Sequence, residues 1–583
     1  MSRLLTCLVA LCLAPVSTFS QDIGVSIGGG VVQANGQPPR DARLATGHSA
    51  LRGRVLASDG GQPLRRATVR INAPELRVSR TAFTDADGRY DFRDLPAGRY
   101  SINASKPTFV NWSYGQTLPN GPGKPIALSD NQTADNVDIR LLRGAVITGR
   151  VLDEFGEPVP NAAVTALRRQ YQQGQSRLFP AGDRAQANDI GEYRIFGLAP
   201  GQYYVSSTVQ ALTLAMPVGN SVEVSGQNNG YAPTFYPGTS DVASAQKVTV
   251  GTAQTLTGID IPLSPTRLAT ITGTAVDADG RPMAGSVFAT PRGNNLGFGV
   301  GGTGGPLRED GTFTVPNVPP GEYVLRAMAA RNAGGINGPP QFSVAVVNVT
   351  GDDISGVRLA PVALTTISGH ISFDDQSAAQ ALNPSTIRVV AQAVNSDDYA
   401  GIGVGAGGPP RPVKDDFTFE LKTAPGRIGL VAVVQAAGSA GTWRLNSIRV
   451  NGSDVTDGGF DVGSQPIGGI EIEMTTRTQQ IAGTVTDARG EAVKQYTVAV
   501  FSQDRAKWKG TTRYFALGLP GADGGFKVAT LPPGDYYAIA LDAIDVSGWQ
   551  EPDVLEGWSR VAATFTLTPG DTRALTLRLF TSQ

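Results

Sequence analysis

The sequence predicts an all-β protein built from five tandem β-sandwich domains that follow a short leader. Three observations support this. A strand–turn–strand pattern recurs five times along the 583 residues. The chain holds 72 glycines and 39 prolines, about a fifth of its residues where about 12% is ordinary. Short apolar runs are separated by turn signals about every 8–12 residues, and no helical period is convincing. This combination is typical of β-sandwiches.

The first repeated motif is an apolar strand that contains a glycine and ends in a turn before a second strand. Its strand glycines recur at intervals of 96 to 124 residues, which is the size of a whole domain rather than of a solenoid repeat. These strand glycines are Gly53, Gly149, Gly273, Gly369 and Gly483.

The second motif consists of a hairpin, a strand, a Pro-Gly turn and a further strand. Glycines such as Gly88 and Gly311 supply the positive φ that a tight hairpin needs. A tyrosine begins the last strand, where we expect a half-buried ring with its hydroxyl directed outward. These tyrosines are Tyr100, Tyr203, Tyr323 and Tyr536. The fourth unit diverges, with Asp416 interpreted as replacing the hairpin glycine and Ile428 the tyrosine.

A third, alternating strand closes each unit, and we expect it at the edge of a sandwich. The predicted sandwich domains are residues 51–143, 144–266, 267–363, 364–477 (divergent) and 478–583. Glycine-rich stretches at 293–305 and 401–408 are interpreted as inserted loops. The linkers at 142–147 and 262–271 are short, so we expect the five domains to form a semi-rigid rod.

Residues 1–20 have the pattern of a secretion signal. Arg3 precedes an apolar segment of about 11 residues, and Ser20 fits a cleavage site before Gln21. That segment is too short to span a bilayer, which takes about 20 helical residues. Both cysteines, Cys7 and Cys12, lie within it. We therefore expect an exported protein, periplasmic, cell-surface or secreted, with a flexible lead-in at 21–50, no disulfides and no transmembrane segment after cleavage.

Charge and composition argue against several classes of function. Lys plus Arg (49) balances Asp plus Glu (50), so the basic surface that nucleic acids require is not expected. Only His48 and His370 are available for zinc or a catalytic triad. We therefore predict no enzyme activity, no catalytic or metal-binding residues and no cofactor. Asp85 and Asp277 open turns that are either ordinary hairpins or irregular Ca²⁺ sites.

Aromatic residues cluster in segments outside the two motifs and are the candidate ligand contacts. Flat rings are surfaces on which sugars stack, but rings at the ends of a sandwich can equally serve as packing plugs. Both interpretations are left open for Trp112, Tyr114, Tyr231, Phe235, Tyr236, Trp508, Trp549 and Trp558.

The pairing of ITGRVLDEFGEPVPNAAV with NDIGEYRIFGLAPGQYYV resembles the carboxypeptidase regulatory-like domains, which have a transthyretin-like fold. Four of the five units carry most of this pattern. The resemblance implies Ig-/prealbumin-like sandwiches of the carbohydrate-binding-like fold, in tandem in exported bacterial proteins. The matching positions in the second unit are Gly149, Val151, Asp153, Gly156, Pro158, Ala162 and Val164, then Asp189, Gly191, Tyr193, Ile195, Leu198, Pro200, Gly201 and Tyr203.

These observations favour a non-enzymatic exported protein that serves as a structural spacer and interaction module at the cell envelope. Its partner would be an envelope protein or a polysaccharide. The alternative is a carbohydrate-binding protein that uses the aromatic loops, and a more remote one is an accessory subunit of a hydrolase.

Overall fold

A computed structural model describes residues 47–76, 78–116, 119, 121, 123–172, 175–209, 229–292, 302–329, 342–380, 382–394, 411–434, 443–477, 479–508, 512–521, 523–529, 531–542, 544 and 548–581. The predicted signal with Cys7 and Cys12, most of the lead-in, the 401–408 loop and most of the 293–305 loop lie outside these residues. The described residues belong to one compact unit, residues 37–583.

The predicted all-β class is confirmed. Within the described residues, the paired strands fall into five consecutive groups, named here the first to fifth stretch. The first stretch contains β1 Ser49–Ala57, β2 Thr68–Asn72, β3 Arg80–Phe83, β4 Arg89–Leu95, β5 Gly98–Ser105, β6 Trp112–Ser113, β7 Ile126–Leu128, β8 Thr133–Ala134 and β9 Ile139–Leu141. The second contains β10 Ala145–Leu152, β11 Ala163–Gln172, β12 Gln175–Pro180, β13 Ala185–Gln186, β14 Glu192–Leu198, β15 Gly201–Thr208, β16 Asn229–Tyr231, β17 Thr234–Phe235, β18 Val248–Val250, β19 Thr255–Leu256, β20 Ile261–Pro262 and β21 Pro265–Arg267.

The remaining stretches continue the same pattern of short strands. The third contains β22 Ala269–Ala275, β23 Gly285–Pro291, β24 Thr303–Leu307, β25 Thr312–Val318, β26 Gly321–Ala329, β27 Phe342–Val349 and β28 Ile354–Pro361. The fourth contains β29 Thr365–Phe373, helix α1 Gln376–Gln380, β30 Ile387–Ala393, β31 Arg411–Pro412, β32 Thr418–Thr423, β33 Gly426–Val434, β34 Arg444–Val450, β35 Ser453–Asp454, β36 Phe460–Val462 and β37 Ile467–Thr475. The fifth contains β38 Gln480–Thr486, β39 Thr497–Ser502, β40 Phe515–Gly518, β41 Phe526–Ala529, β42 Gly534–Leu541, helix α2 Pro552–Ser559, β43 Ala563–Leu567 and β44 Thr572–Phe580.

The stretches differ in how their sheets connect. In the first, second and fourth, two sheets enclose a core between them, as in the order β4-β1-β8 against β3-β2-β5-β6. The third closes into a barrel, because β24 joins β23 to β25 and β27 joins β26 to β28. The fifth forms one continuous sheet of seven strands, because β44 pairs with both β42 and β38. In these two stretches, strand pairing therefore joins the sheets into one continuous structure.

All five strand glycines are required for the same structural reason. Each pairs with an aromatic residue of the neighbouring antiparallel strand and lies beside the strand that closes its stretch. A side chain at any of these glycines would overlap a backbone carbonyl of that closing strand. The carbonyls belong to Val137, Ile259, Val357, Ile470 and Leu575.

In the first four stretches the backbone bulges at this point. The residue just before the carbonyl residue has a positive φ: Asn136 (59°), Gly258 (77°), Gly356 (72°) and Gly469 (67°). At the bulge the carbonyl enters the space that the missing side chain leaves, as the Leu575 carbonyl also does in the regular register of the fifth stretch. In two stretches a tyrosine then donates a hydrogen bond to it, Tyr90 to Val137 at 2.6 Å and Tyr193 to Ile259 at 2.5 Å. In the third, fourth and fifth stretches the residue paired with the strand glycine is a phenylalanine: Phe313, Phe419 and Phe526.

The tyrosines of the second motif are more deeply buried than expected. The half-buried, outward-directed arrangement is wrong, since Tyr100, Tyr203 and Tyr536 are at most 1% exposed. Each hydroxyl donates to the carbonyl four residues earlier at 2.6–2.7 Å, which closes the Pro-Gly turn from inside. A tyrosine can be buried at this position because the turn supplies the acceptor that its hydroxyl needs.

The hairpin turns confirm the expected positive φ, with Gly88 at 72° and Gly311 at 79°. In the fourth stretch, the expected position of the residue that replaces the hairpin glycine is wrong by one residue. Phe417, with φ 60°, occupies the glycine position, and Asp416 corresponds to Asp310. Both aspartates accept a hydrogen bond from the amide two residues later, at 3.0 and 2.9 Å. Ile428 does take the place of the tyrosine, fully buried in the core of the fourth stretch.

The closing strands lie at an edge in only some stretches. Among the described strands, β8 and β9 pair only with β1, and β19 and β20 only with β10, as expected. In the last three stretches the closing strand lies between two neighbours, as β37 does between β29 and β34. The edge expectation is therefore wrong there, because an additional strand pairs with the closing strand.

One long-range contact contradicts the expected rod. The Tyr171 hydroxyl, in the β11–β12 hairpin of the second stretch, donates to the Trp508 carbonyl in the fifth stretch at 3.1 Å. A rod in which five units follow one another would keep these two stretches apart.

The role of the strand glycine can be tested in the fourth stretch. Gly369→Ala should lower the free energy of unfolding by about 1–3 kcal/mol, because the new methyl group must displace the Ile470 carbonyl. Gly429→Ala, in β33 of the same stretch, has no atom within 4 Å of the added carbon and should change it by less than about 0.5 kcal/mol. Calorimetric unfolding of the full-length variants measures both. Equal transition temperatures for the two variants would contradict this role.

Buried tyrosines predict a loss of stability at alkaline pH. Burial raises the pKa of Tyr323 to about 12, and it also raises those of Tyr90, Tyr193 and Tyr536. An unfolded tyrosine loses its proton near pH 10, so above about that pH the unfolded state is favoured. Urea midpoints between about pH 9 and pH 11 should therefore fall, and less steeply in Tyr323→Phe. Tyr537→Phe, at a half-buried position, serves as the control and should keep the wild-type slope.

Candidate functional site

The eight candidate aromatic residues lie in three separate places rather than on one platform. Phe235, Trp508 and Trp549 are only 2–4% exposed, so their ring faces are occupied by protein. Trp112, Tyr114, Tyr231, Tyr236 and Trp558 are half-buried. Sugar stacking on these five remains a prediction.

In the fifth stretch the three tryptophans do come together, as part of a second hydrophobic cluster. Trp549 and Trp558 stack with ring centroids 6.3 Å apart, and Trp508 contacts Phe501 at 5.9 Å. The Trp508 indole donates to the Ser502 carbonyl at 2.7 Å. Helix α2 and the turn at Arg505–Trp508 thus cover the outer face of the sheet, and β39 is buried along its whole length.

In the second stretch, Phe235 covers the corresponding outer surface with Leu167, Leu178 and Tyr204. The Tyr231 hydroxyl donates to Glu154 at 2.7 Å, and this hydrogen bond raises the pKa of Tyr231 to about 12. In the first stretch, the Trp112 indole donates to the Gln116 carbonyl at 3.0 Å. Several candidate rings therefore already have packing or hydrogen-bonding roles.

A depression of about 850 Å³ lies in the second stretch beside the strand glycine Gly149. Arg150, Glu192 and Asp260 line it. The Arg150 side chain lies 3.0 Å from Glu192, and its backbone amide donates to Asp260 at 2.8 Å. A smaller depression of about 400 Å³ lies beside Gly369 in the fourth stretch.

Sequence reasoning missed these depressions, although the strand glycines gave a signal for them. The glycines were interpreted only as markers of the repeat. Both depressions are lined by acidic and basic side chains, which suit contacts with polar groups.

The two histidines and the acidic turns do not form a metal centre in the described part of the chain. His48 and His370 are exposed and lie in different stretches. No group of three His, Cys, Asp or Glu side chains suited to an ion is found among the described residues. Asp85 accepts hydrogen bonds from the Asp87 and Arg89 amides at 2.9 and 2.7 Å, so its carboxylate stabilises the hairpin.

A polar cluster joins the fourth and fifth stretches, and we call it the Asp457 junction. Arg513 binds the Asp457 carboxylate with two nitrogens, at 2.5 and 2.9 Å. The Tyr514 hydroxyl donates to the same carboxylate at 2.6 Å, and Arg513 also donates to the Asn446 carbonyl at 3.2 Å. Burial, and then this hydrogen bond to Asp457, raise the pKa of Tyr514 to about 12.

A second junction joins the first and second stretches through their backbones. The Val110 amide donates to the Leu142 carbonyl, and the Gly144 amide donates to the Thr108 carbonyl, both at 2.9 Å. The Arg143 guanidinium lies 5.4 Å from the Phe109 ring. A loop of the first stretch is therefore paired with the linker that leads into the second. Sequence reasoning recognised the short linkers but not these contacts, which join residues distant in the chain.

No helix in the described residues has the length and hydropathy to cross a membrane. No curated protein matches the chain. Solved structures that match the chain include the minor pilin GBS52 of Streptococcus agalactiae, at 12% identity over 37% of this chain and 95% of that chain, with a TM-score of 0.20. The shaft pilin SpaA of Lactobacillus rhamnosus GG matches at 12% identity over 38% of this chain and 99% of that chain, with a TM-score of 0.18. Two B repeats of the collagen-binding protein of Staphylococcus aureus match at 13% identity over 74% of this chain and 100% of that chain, with a TM-score of 0.12. With TM-scores this low, these likenesses carry no functional argument.

The comparison with protein families bears directly on the first two stretches. The model of the carboxypeptidase regulatory-like domain matches residues 50–142 and, separately, residues 146–264. The two matches follow one another with three residues between them, and they include the strand glycines Gly53 and Gly149. The chain therefore contains carboxypeptidase regulatory-like domains, in tandem over residues 50–142 and 146–264.

Proposed function

We propose that the protein is a non-enzymatic, exported structural protein of the cell envelope whose β-domains are held in fixed mutual orientation to present interaction surfaces. The Asp457 junction is the observation that carries this proposal. A bidentate ion pair fixes direction as well as distance, because the planar guanidinium and the carboxylate must be coplanar to form both hydrogen bonds.

The Asp457 junction differs from an ordinary surface ion pair. Exposed pairs contribute about 0–1 kcal/mol and are screened by salt. The side chains of Arg513 and Asp457 are only 25% and 34% exposed, and Tyr514 adds a third hydrogen bond to the carboxylate. The ammonium of Lys507 also lies 4.5 Å from the centre of the Tyr514 ring. The arrangement therefore resists rotation about the linker between the stretches.

The contact between Tyr171 and Trp508 favours a scaffold of packed domains over an extended spacer. Tyr171 and Trp508 are 337 residues apart in the sequence, and their two stretches meet at this hydrogen bond. The matched family also supports a role without catalysis, since its description is that of a regulatory-like domain rather than of a catalytic one. Export is supported by the sequence of residues 1–20 alone.

Removing the junction carboxylate tests the proposal. Spin labels at Lys422→Cys and Thr568→Cys, both exposed, report the distance between the fourth and fifth stretches by pulsed electron resonance. The native cysteines Cys7 and Cys12 are replaced by serine in all variants. The wild-type background should give a narrow distance distribution. Asp457→Ala should broaden it and lower the free energy of unfolding by about 1–3 kcal/mol, because Arg513 loses its partner.

The matched control is Asp461→Ala, which removes an ion pair with Arg427 within the fourth stretch (3.2 Å) and leaves the junction intact. This variant should keep the narrow distribution. A broad distribution already in the wild-type background, or an unchanged one in Asp457→Ala, would show that the orientation is not fixed by the junction.

A further inference from the structure

Arg326 occupies an unusual position in the middle of β26 of the third stretch. Its strand neighbours Tyr323, Leu325 and Ala327 belong to the core of the barrel. Because side chains alternate along a strand, Arg326 lies on the opposite, outward face with Val324 and Met328.

The Arg326 guanidinium is buried without a partner for two of its nitrogens. Only 4% of the residue is exposed, and Nε and Nη2 have no hydrogen-bond partner in the described structure. Burial lowers the pKa of Arg326 to about 10, and no neighbouring charge offsets this. An arginine this deeply buried is ordinarily paired, because desolvating an unpaired charge costs several kcal/mol or more.

The outward face around Arg326 is mainly aliphatic. Its cross-strand neighbours are Phe288 on β23 and Val344 on β27. Beside them, Met328 is 42% exposed and Val346 is 56% exposed. The described surface next to the buried guanidinium is therefore both apolar and open to a partner.

No described residue forms an ion pair with Arg326. Glu322, on the same face of β26, is already paired with Arg292 at 2.9 Å. The sequences of the two segments that connect these strands, residues 293–301 and 330–341, contain neither Asp nor Glu. A counter-charge must therefore come from another part of the chain or from another molecule.

We propose that Arg326 anchors a binding site for a carboxylate carried by an aliphatic polypeptide segment of a partner protein. The guanidinium offers a fork of donors that matches a carboxylate, and the valines and Met328 suit the flanking aliphatic side chains. A polysaccharide is less suited to this face, since sugar rings stack on flat aromatic surfaces and Val324, Met328, Val344 and Val346 are aliphatic. The site goes beyond the proposed function by naming the chemistry of a partner, and it does not depend on the Asp457 junction.

The test uses the full-length protein and two fluorescent nonapeptides, Ser-Val-Thr-Val-Glu-Val-Thr-Val-Ser and the same peptide with Gln in place of Glu. Fluorescence anisotropy should show the Glu peptide binding at least about tenfold more tightly, the gain expected of a charge-assisted pair. Arg326→Met should reduce this difference to less than about twofold. Its melting temperature should not fall, because an unpaired buried charge has been removed.

Arg358→Met, at an exposed position of β28 in the same stretch, is the matched control and should keep the tenfold preference. Equal binding of the two peptides by the wild-type protein would overturn the proposal, and this comparison stands even if Arg326→Met does not fold. A preference that survives in Arg326→Met would also overturn it. So would tighter binding of an oligogalacturonate, or self-association that Arg326→Met abolishes, since the occupant would then be an acidic glycan or a second copy.

Discussion

The close approach of a closing-strand carbonyl to a strand glycine is the constraint on which the rest of the fold depends. At this point the first and last strands of a stretch pair in parallel, although they are distant in sequence. The approach requires the absence of a side chain, and in two stretches a tyrosine hydroxyl satisfies the carbonyl. Surface depressions lie beside two of these glycines, Gly149 and Gly369.

Local chemistry explains why some features could be predicted from the sequence. A hairpin glycine such as Gly311 reports its own positive φ, because few other residues adopt it at low cost. The alternation along β4 or β25 likewise reports which face is buried. The exception at Phe417 shows the limit of such reasoning. This residue adopts φ 60°, and its ring packs against Phe373 at a centroid distance of 4.8 Å.

Features that depend on contacts distant in the sequence could not be predicted in this way. In the sequence, Trp508 and Trp549 lie outside the two repeated motifs, and this position is compatible with either a binding role or a packing role. Only the position of helix α2 over the outer sheet face shows that these rings are buried. The Asp457 junction likewise joins two loops whose sequences carry no pattern, and the barrel closure of the third stretch depends on pairings made by β24 and β27.

Two arginines illustrate opposite uses of a buried guanidinium. Arg513 meets a carboxylate and a tyrosine hydroxyl within its own chain, so its charge contributes to a fixed junction. Among the described residues Arg326 has no carboxylate partner, because Glu322 on the same face is paired with Arg292. Both depend on a rigid β-framework, because a flexible backbone would allow the side chains to turn toward water.

Hydrogen exchange of the full-length protein, followed by mass spectrometry, tests the central claim most directly. If the closing strand is locked to the strand glycine, amides of β37 and β29 in the fourth stretch should exchange slowly and together, through one cooperative opening. The same should hold for β44 and β38 in the fifth. Rapid exchange of a closing strand while its partner strand stays protected would contradict the account.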